Sequence, residues 1–328
     1  MGNNSSGPVK IVAIGGGTGL STLLSGLKKY VGGDGFSIAA LAAIVAVSDD
    51  GGSSGRLRDE FQMPPPGDIR NCMVALSEDS LLLSKLFKYR FSGDGDLSGH
   101  NFGNLFLAAL SEVTGDFAEA VRLSSEILAS KGHIYPATVS NVHIAARLAD
   151  GSIAQGETNI SKTGGAIERL YLEPEDCDPH PDAIAAIEDA GIITVGPGSL
   201  YTSILPPLLV KGMTDAISNS KATKIFICNL MTQPGETDGL TSRRHLEIVR
   251  EYAPGLNFDY VLVNNRPISE RQAELYTKDG AEQIGVHGSI EPGVIEGADV
   301  VYANLLDEGE LVRHHPDRLA RCVLGLNG

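Results

Sequence analysis

Residues 15–19, Gly15-Gly16-Gly17-Thr18-Gly19, put three consecutive glycines before a threonine and a fourth glycine, and Ser21 follows two positions later. Glycines tolerate positive φ and close backbone approach, and the exposed amides of a helix start suit a phosphate. A second run, Gly196-Pro197-Gly198-Ser199, leads into Tyr201, Thr202 and Ser203, with hydroxyls where an anion could sit. Asp49 and Asp50 precede a third glycine-rich run beginning at Gly51. A carboxylate pair at the end of a core strand could hold Mg2+ against a diphosphate, accept from a ribose hydroxyl or act as a base. Asp-Gly is also an ordinary turn, so the pair has a purely local reading as well.

Arg56, Arg58 and Arg70 are candidate diphosphate partners, because a guanidinium grips phosphate oxygens bidentately and this segment departs from the acidic average. In His100-Asn101-Phe102-Gly103-Asn104 the amides, Asn104 among them, either reach a ligand or cap the helix that starts there, and capping is the simpler reading. Asn229 and Gln233 after one later strand, and Asn264 after another, offer amides to a base or sugar.

Several familiar chemistries do not fit. Leu20 stands where a dinucleotide fingerprint needs its third glycine, no obvious acidic partner for a ribose stands about 20 positions on, and no lysine follows as in a P-loop. Gly198-Ser199 lacks the frame of a nucleophile elbow. Asp94-Gly95-Asp96 starts like a calcium loop without the later ligands. His133, His143, His180, His245, His287, His314 and His315 show no metal-binding spacing and read as core or surface histidines. Cys72, Cys177, Cys228 and Cys322 form no C-x-x-C pair, which argues against a zinc site or a disulfide framework and fits a reducing, cytoplasmic compartment.

The elements around these residues read as α/β. Val9, Ile11, Val12 and Ile14 form a buried parallel strand, and Leu20, Leu23, Leu24 and Leu27 mark the apolar face of the helix that follows. Residues 39–47 make a second strand that delivers Asp49 and Asp50 beside the first glycine loop. A proline run then ends at Asp68, placed as N-cap of a helix over residues 69–76, and helical spacing continues over residues 81–91, 101–113 and 117–128. Alternation from residue 137, with Asp150-Gly151 as the turn, predicts a hairpin joined by a strand over residues 166–172. Further strands over residues 192–195, 224–228 and 260–263 each end in a polar loop. The expected architecture is a Rossmann-like, doubly wound, mostly parallel sheet with a helical insertion and a small antiparallel hairpin region, in one unit spanning residues 1–328 whose first eight residues are flexible.

At 328 residues and 42% hydrophobic composition the chain can bury a full core. A net charge of −15, from 26 Lys and Arg against 41 Asp and Glu, argues against nucleic-acid or anionic-membrane partners. No segment approaches the roughly 18 uninterrupted apolar residues of a membrane span, and no export signal is evident. Met1-Gly2 with Ser6 matches a myristoylation pattern only superficially.

Taken together, G-G-G-T-G-L-S-T-L-L-S-G-L, V-S-D-D-G-G-S-S-G-R-L-R, P-P-P-G-D-I-R-N-C, G-H-N-F-G-N-L, V-G-P-G-S-L-Y-T-S and M-T-Q-P-G-E-T resemble, in this order from Ile11 to about Ala303, the YvcK family of bacterial gluconeogenesis factors. The wider superfamily includes CofD, a 2-phospho-L-lactate transferase of deazaflavin-coenzyme synthesis. The resemblance implies a cytoplasmic protein that binds UDP-sugars, notably UDP-N-acetylglucosamine, and that supports cell shape and wall synthesis on gluconeogenic carbon sources, with protein partners in wall synthesis. It does not imply catalysis. Carried over, residues 15–18 and 196–199 would cradle the ligand, and Asp49 and Asp50 would lie where transferase relatives hold metal or acceptor, with Mg2+ accompanying a diphosphate. The tail from Asp307 matches less clearly, and neither oligomeric state nor phosphorylation can be carried over.

Overall fold

The computed structural model describes residues 7–32, 38–78, 82–164, 166–285 and 293–326. The expectations for residues 1–6, for Leu81 and for His287 lie outside these. Along the chain the strands are β1 (Val9–Gly15), β2 (Ile38–Val45), β3 (His133–Pro136), β4 (His143–Leu148), β5 (Ile153–Gln155), β6 (Ile167–Glu173), β7 (Ile192–Val195), β8 (Thr223–Ile227), β9 (Tyr260–Asn264), β10 (Val294–Ile295) and β11 (Ala298–Ala303). The helices are α1 (Gly17–Leu27), α2 (Gly52–Phe61), α3 (Gly67–Leu76), α4 (Leu82–Lys88), α5 (Phe102–Thr114), α6 (Phe117–Ile127), α7 (Glu157–Ile160), α8 (Pro181–Glu188), α9 (Leu205–Leu209), α10 (Met213–Asn219), α11 (Ser242–Tyr252), α12 (Glu270–Thr277) and α13 (Pro316–Gly325).

Among the described residues these build an eight-stranded sheet in the order β10-β11-β9-β8-β7-β1-β2-β3, parallel except where β10 meets β11. Its apolar runs are continuous because both faces are covered: Val12 and Ile14 of β1 pack into one core cluster, Ile11 and Ala13 into the other. The antiparallel region has the order β5-β4-β6, so the hairpin and its third strand are as the alternation and the Asp150-Gly151 turn predict.

The chain winds outward in both directions from β1. β2 pairs with it on one side and β7 on the other, Ile14 lying opposite Ile44 and Val195. Such a reversal opens a crevice between neighbouring strand ends, and ligands of open α/β sheets bind there. Both glycine runs stand at that point.

Two local expectations need correction, and two elements are not read from the sequence. Gly52 onward is already helix α2, started by the Ser54 amide donating to the Gly51 carbonyl at 3.0 Å, so the third glycine run is a helix start rather than a long loop. Asp68 does not cap α3, which begins at Gly67 behind Pro66 without a side-chain cap. Residues 133–136 form β3 at the sheet edge, where four residues give too short a pattern to read beside the alternation that follows. The tail folds back as α13 against α1, so closely that a Cβ on Gly26 would lie 2.2 Å from the Pro316 carbonyl oxygen.

Candidate functional site

The two glycine loops touch backbone to backbone. The Gly196 amide donates to the Ile14 carbonyl at 2.9 Å, a Cβ on Gly19 would come within 2.3 Å of the Pro197 oxygen, and one on Gly198 within 3.4 Å of the Gly16 oxygen. Gly19 is therefore required by the partner loop, whereas Gly17, at φ +62°, is required by its own left-handed turn and has only Ser203 Oγ, 3.5 Å away, near its Cβ position.

A helix leaves its first amides without partners inside the helix. In α1 the Gly17 amide donates to Asp68 Oδ2 at 2.7 Å, and the next bond inside the helix is that of Leu20 to Gly16. Thr18 and Gly19, whose amides the helix does not use, line a crevice of about 510 Å³. Pro197, Gly198 and Ser199 form its second side, and Asn229, Gln233 and Glu236 a third. Tyr276, Arg313 and His314 close it from the C-terminal part of the chain. Asn229 Oδ1 accepts from the Gly198 amide at 3.2 Å, and Glu236 accepts from Ser199 Oγ at 2.7 Å and Ser161 Oγ at 2.6 Å, fixing the second loop.

Two acceptors on this wall are left over. Gln233 Oε1 and His314 Nε2 are buried without a hydrogen-bond partner. Burial pushes the His314 imidazole down to about 4 while a ring N–H donates to the Cys228 carbonyl, so the ring is neutral at physiological pH and Nε2 is an acceptor.

Carboxylates gather beneath the first loop. Asp49 Oδ1 accepts from the Gly51 amide at 2.9 Å, and a Cβ on Gly67 would lie 2.2 Å from its Oδ2. Asp50 Oδ1 accepts from the amide and hydroxyl of Thr158 at 3.0 and 2.8 Å, holding the start of α7. Burial, reinforced by Asp49, raises the Asp68 carboxyl to about 6. Burial likewise raises Glu157 to about 8, with Asp49, Asp68 and Asp50 adding repulsion and Thr202 Oγ1 at 3.2 Å opposing it. Among the described residues no three His, Cys, Asp or Glu side chains converge as metal ligands. A Mg2+ bound here would follow that ion's usual habit of one or two carboxylates completed by phosphates and water.

The structure thus brings Thr18, Gly19, Pro197, Gly198, Ser199, Asn229 and Gln233 to one crevice, while Gly15, Gly16, Gly17 and Gly196 belong to the same two loops without lining it, and Asp49, Asp50 and Gly51 also lie outside its lining. Other candidates fall elsewhere. Arg56 is exposed and donates to the Ser98 carbonyl at 2.9 Å. Arg58 is buried as a strut, donating to Asn141 Oδ1 and to the Val142 carbonyl. Arg70 lines a neighbouring groove on α1. Asn104 is buried, its Nδ2 donating to Ser54 Oγ at 3.3 Å, and it is Asn101 that caps α5. Asn264 spends its amide on the backbone of Arg266 and Leu305, so the structure corrects its expected role at the ligand.

Sequence reasoning missed Asp68 as a partner of the Gly17 amide, along with Glu157, Glu236, Arg313 and His314. The Asp68 signal was available in its proline-glycine setting but was spent on capping. The others are single residues without a pattern, brought in by tertiary structure.

A family profile described as 2-phospho-L-lactate transferase CofD matches residues 11–306. Curated relatives that carry the name gluconeogenesis factor include a Nostoc sp. protein, 47% identical over 96% of this chain and 68% of its own length. Another, from Halalkalibacterium halodurans, is 43% identical over 96% of this chain and 95% of its own. The crystal structure of protein BH3568 from Bacillus halodurans superposes with a TM-score of 0.90 at 42% identity, over 97% of this chain and all of that one.

Proposed function

The chain belongs to the CofD family and, within it, to the gluconeogenesis factors, and on that premise we propose that it is a UDP-sugar-binding regulatory protein acting in the cytoplasm. Gluconeogenic growth, cell shape and wall synthesis are the processes it would serve. The diphosphate lies on the Thr18 and Gly19 amides and the Gly198-Ser199 turn, with the exposed Arg313 guanidinium as counter-charge. The observation that carries the reading is the pair of orphaned acceptors, Gln233 Oε1 and His314 Nε2. Buried acceptors cost stability until a donor arrives, and uracil N3–H, sugar hydroxyls and an N-acetyl N–H are donors of the right kind.

Calorimetric titration with UDP-N-acetylglucosamine, UDP-glucose and GDP, each with and without Mg2+, tests it. Saturable binding selective for the uridine ligands is expected, lost in Gly17→Val, whose side chain meets little protein but strains the left-handed turn at φ +62° and crowds the space beside the Thr18 and Gly19 amides. Unchanged affinity in a folded Gly17→Val protein sinks the placement.

The raised Asp68 and Glu157 carboxyls favour a second reading, a CofD-like transfer of a phospho-carboxylate group from a nucleoside diphosphate donor to an acceptor hydroxyl. There a carboxylate near neutrality would take the hydroxyl proton, and Asp49 or Asp50 would hold a Mg2+ that offsets the charge of the diphosphate. Release of nucleoside monophosphate from such a donor, abolished by Glu157→Gln and Asp50→Asn, is its signature.

A further inference from the structure

We propose that the groove along the flank of α1, next to the nucleotide crevice, is a second ligand site that takes a phosphorylated sugar or polyol. This goes beyond the UDP-sugar reading and does not rest on it. The groove encloses about 480 Å³, a volume suited to a small metabolite. Lys28, Arg70, Lys88, Arg90 and Arg313 line it, and among its described lining residues there is no carboxylate. In a chain of net charge −15 such a concentration of cations is a local reversal of sign that an anion would relieve.

The cations also strain against one another. Burial first, and then the charge of Arg90, push the Arg70 guanidinium below its usual range, with Asp49 and Asp68 beneath the loop only partly compensating. Arg70 is anchored by donating to Asn71 Oδ1 and Arg90 by donating to the Gly99 carbonyl at 2.7 Å, so both heads are held at the groove.

The opposite wall selects for hydroxyls. Ser21 and Thr22 donate their hydroxyl hydrogens to the Thr18 carbonyl at 3.0 and 2.8 Å, and Ser25 donates to the Thr22 carbonyl at 2.8 Å. With their hydrogens committed to the helix backbone, these oxygens present lone pairs to the groove. One wall therefore wants negative charge and the other wants donors set apart from that charge, a combination found in a sugar or polyol phosphate, whereas inorganic phosphate carries its P–OH donors on the charged group itself and a plain sugar has no charge.

Length separates this site from the nucleotide. Thr18 and Lys28 lie ten residues apart, about 15 Å along the helix axis. Lys88 and Arg90 line this groove and not the nucleotide crevice, whereas Lys28 is already held by donating from Nζ to the Ser77 carbonyl at 2.7 Å. Thr18, Thr22 and Arg313 border both spaces, so two ligands would be immediate neighbours.

The test is calorimetric titration of the full chain, saturated with UDP-N-acetylglucosamine, with glucose 6-phosphate, glycerol 3-phosphate, inorganic phosphate and glucose. One-to-one binding of at least one of the two phosphate esters is expected, with inorganic phosphate and glucose at least about tenfold weaker. Lys88→Gln/Arg90→Gln should weaken the ester by about tenfold or more while leaving UDP-N-acetylglucosamine affinity within about twofold, since neither side chain lines the nucleotide crevice. Both side chains are exposed, so the variant should fold, and Lys88→Gln alone should give a smaller loss in the same direction. The proposal is overturned if neither ester binds at millimolar concentration, if the double variant binds them unchanged, or if UDP-N-acetylglucosamine displaces them competitively. If the UDP-sugar itself fails to bind, the regulatory reading falls, and the same ester titrations on the free protein still decide this one.

Discussion

Asp68 Oδ2 accepts the Gly17 amide at 2.7 Å, so a carboxylate from α3 occupies the first amide of α1 at the place where the helix would otherwise meet a phosphate. The arrangement orients the glycine turn and places a carboxylate beneath the first glycine loop. Asp68→Asn keeps an acceptor oxygen there while removing that charge.

The raised carboxyls make stability depend on pH with a defined sign. Asp68 titrates at about 6 in the folded chain against 3.8 as the ordinary value, and Glu157 at about 8 against 4.5. Between those values the folded state holds protons that the unfolded chain has released, so their contribution is present at low pH and lost as pH rises through the folded values. Between about pH 5 and 8 the melting temperature of Asp68→Asn/Glu157→Gln should therefore gain on that of the parent as pH rises. Melting curves across that range check it, and a parent that gains on the variant would reverse the assignment.

Gly19→Ala should separate the two glycine loops, because the added methyl meets the Pro197 backbone carbonyl and not a side chain that can rotate away. Overpacking of this kind costs about 1–3 kcal/mol. Denaturant unfolding should show a loss in that range, accompanied by a loss of nucleotide affinity.

Asp50→Ala removes the acceptor that holds the Thr158 amide and hydroxyl, and loss of such a helix-start bond costs about 0.5–2 kcal/mol. Asp50→Asn, which retains one oxygen, should lose less. Chemical denaturation of the two variants distinguishes this tether from a purely metal-holding role, in which Asp50→Ala would leave the stability of the metal-free protein unchanged.

Gln233→Met should move stability and affinity in opposite directions. It deletes a buried acceptor that has no partner in the protein, so unfolding should be unchanged or up to about 1 kcal/mol harder. Affinity for a UDP-sugar should fall by about tenfold, because the ligand loses its acceptor. Parallel melting and titration experiments read both signs.

How much of this was legible in the sequence follows from how locally each feature is encoded. β1, β7 and the hairpin announce themselves through short-range pattern, and residues 192–195 were placed to the residue. Asn229 could be placed at the crevice because it lies just past the end of β8, two residues after Ile227, and a strand end faces the same way in any parallel sheet. Asn264 is instead the last residue of β9 and turns inward, where Leu305, from a distant segment, supplies the donor its oxygen accepts. Arg58 and Arg70, two equal candidates on paper, part company because one meets the backbone at Val142 and the other the open flank of α1. Glu157 and His314 could not be found by pattern at all, as their character comes from burial among groups far away in the chain.

The pairing of β1 with β7 joins Ile11 to Ile192, with the helical insertion and the whole antiparallel region lying between them in the chain. Closing so large a loop is entropically slow and late in folding. A nascent or truncated chain that has built only β1 to β3 therefore has one glycine loop and no crevice. Ligand capture becomes a report that the second half of the sheet has arrived, and a ligand present during refolding should stabilise the finished chain without accelerating the steps that precede that closure.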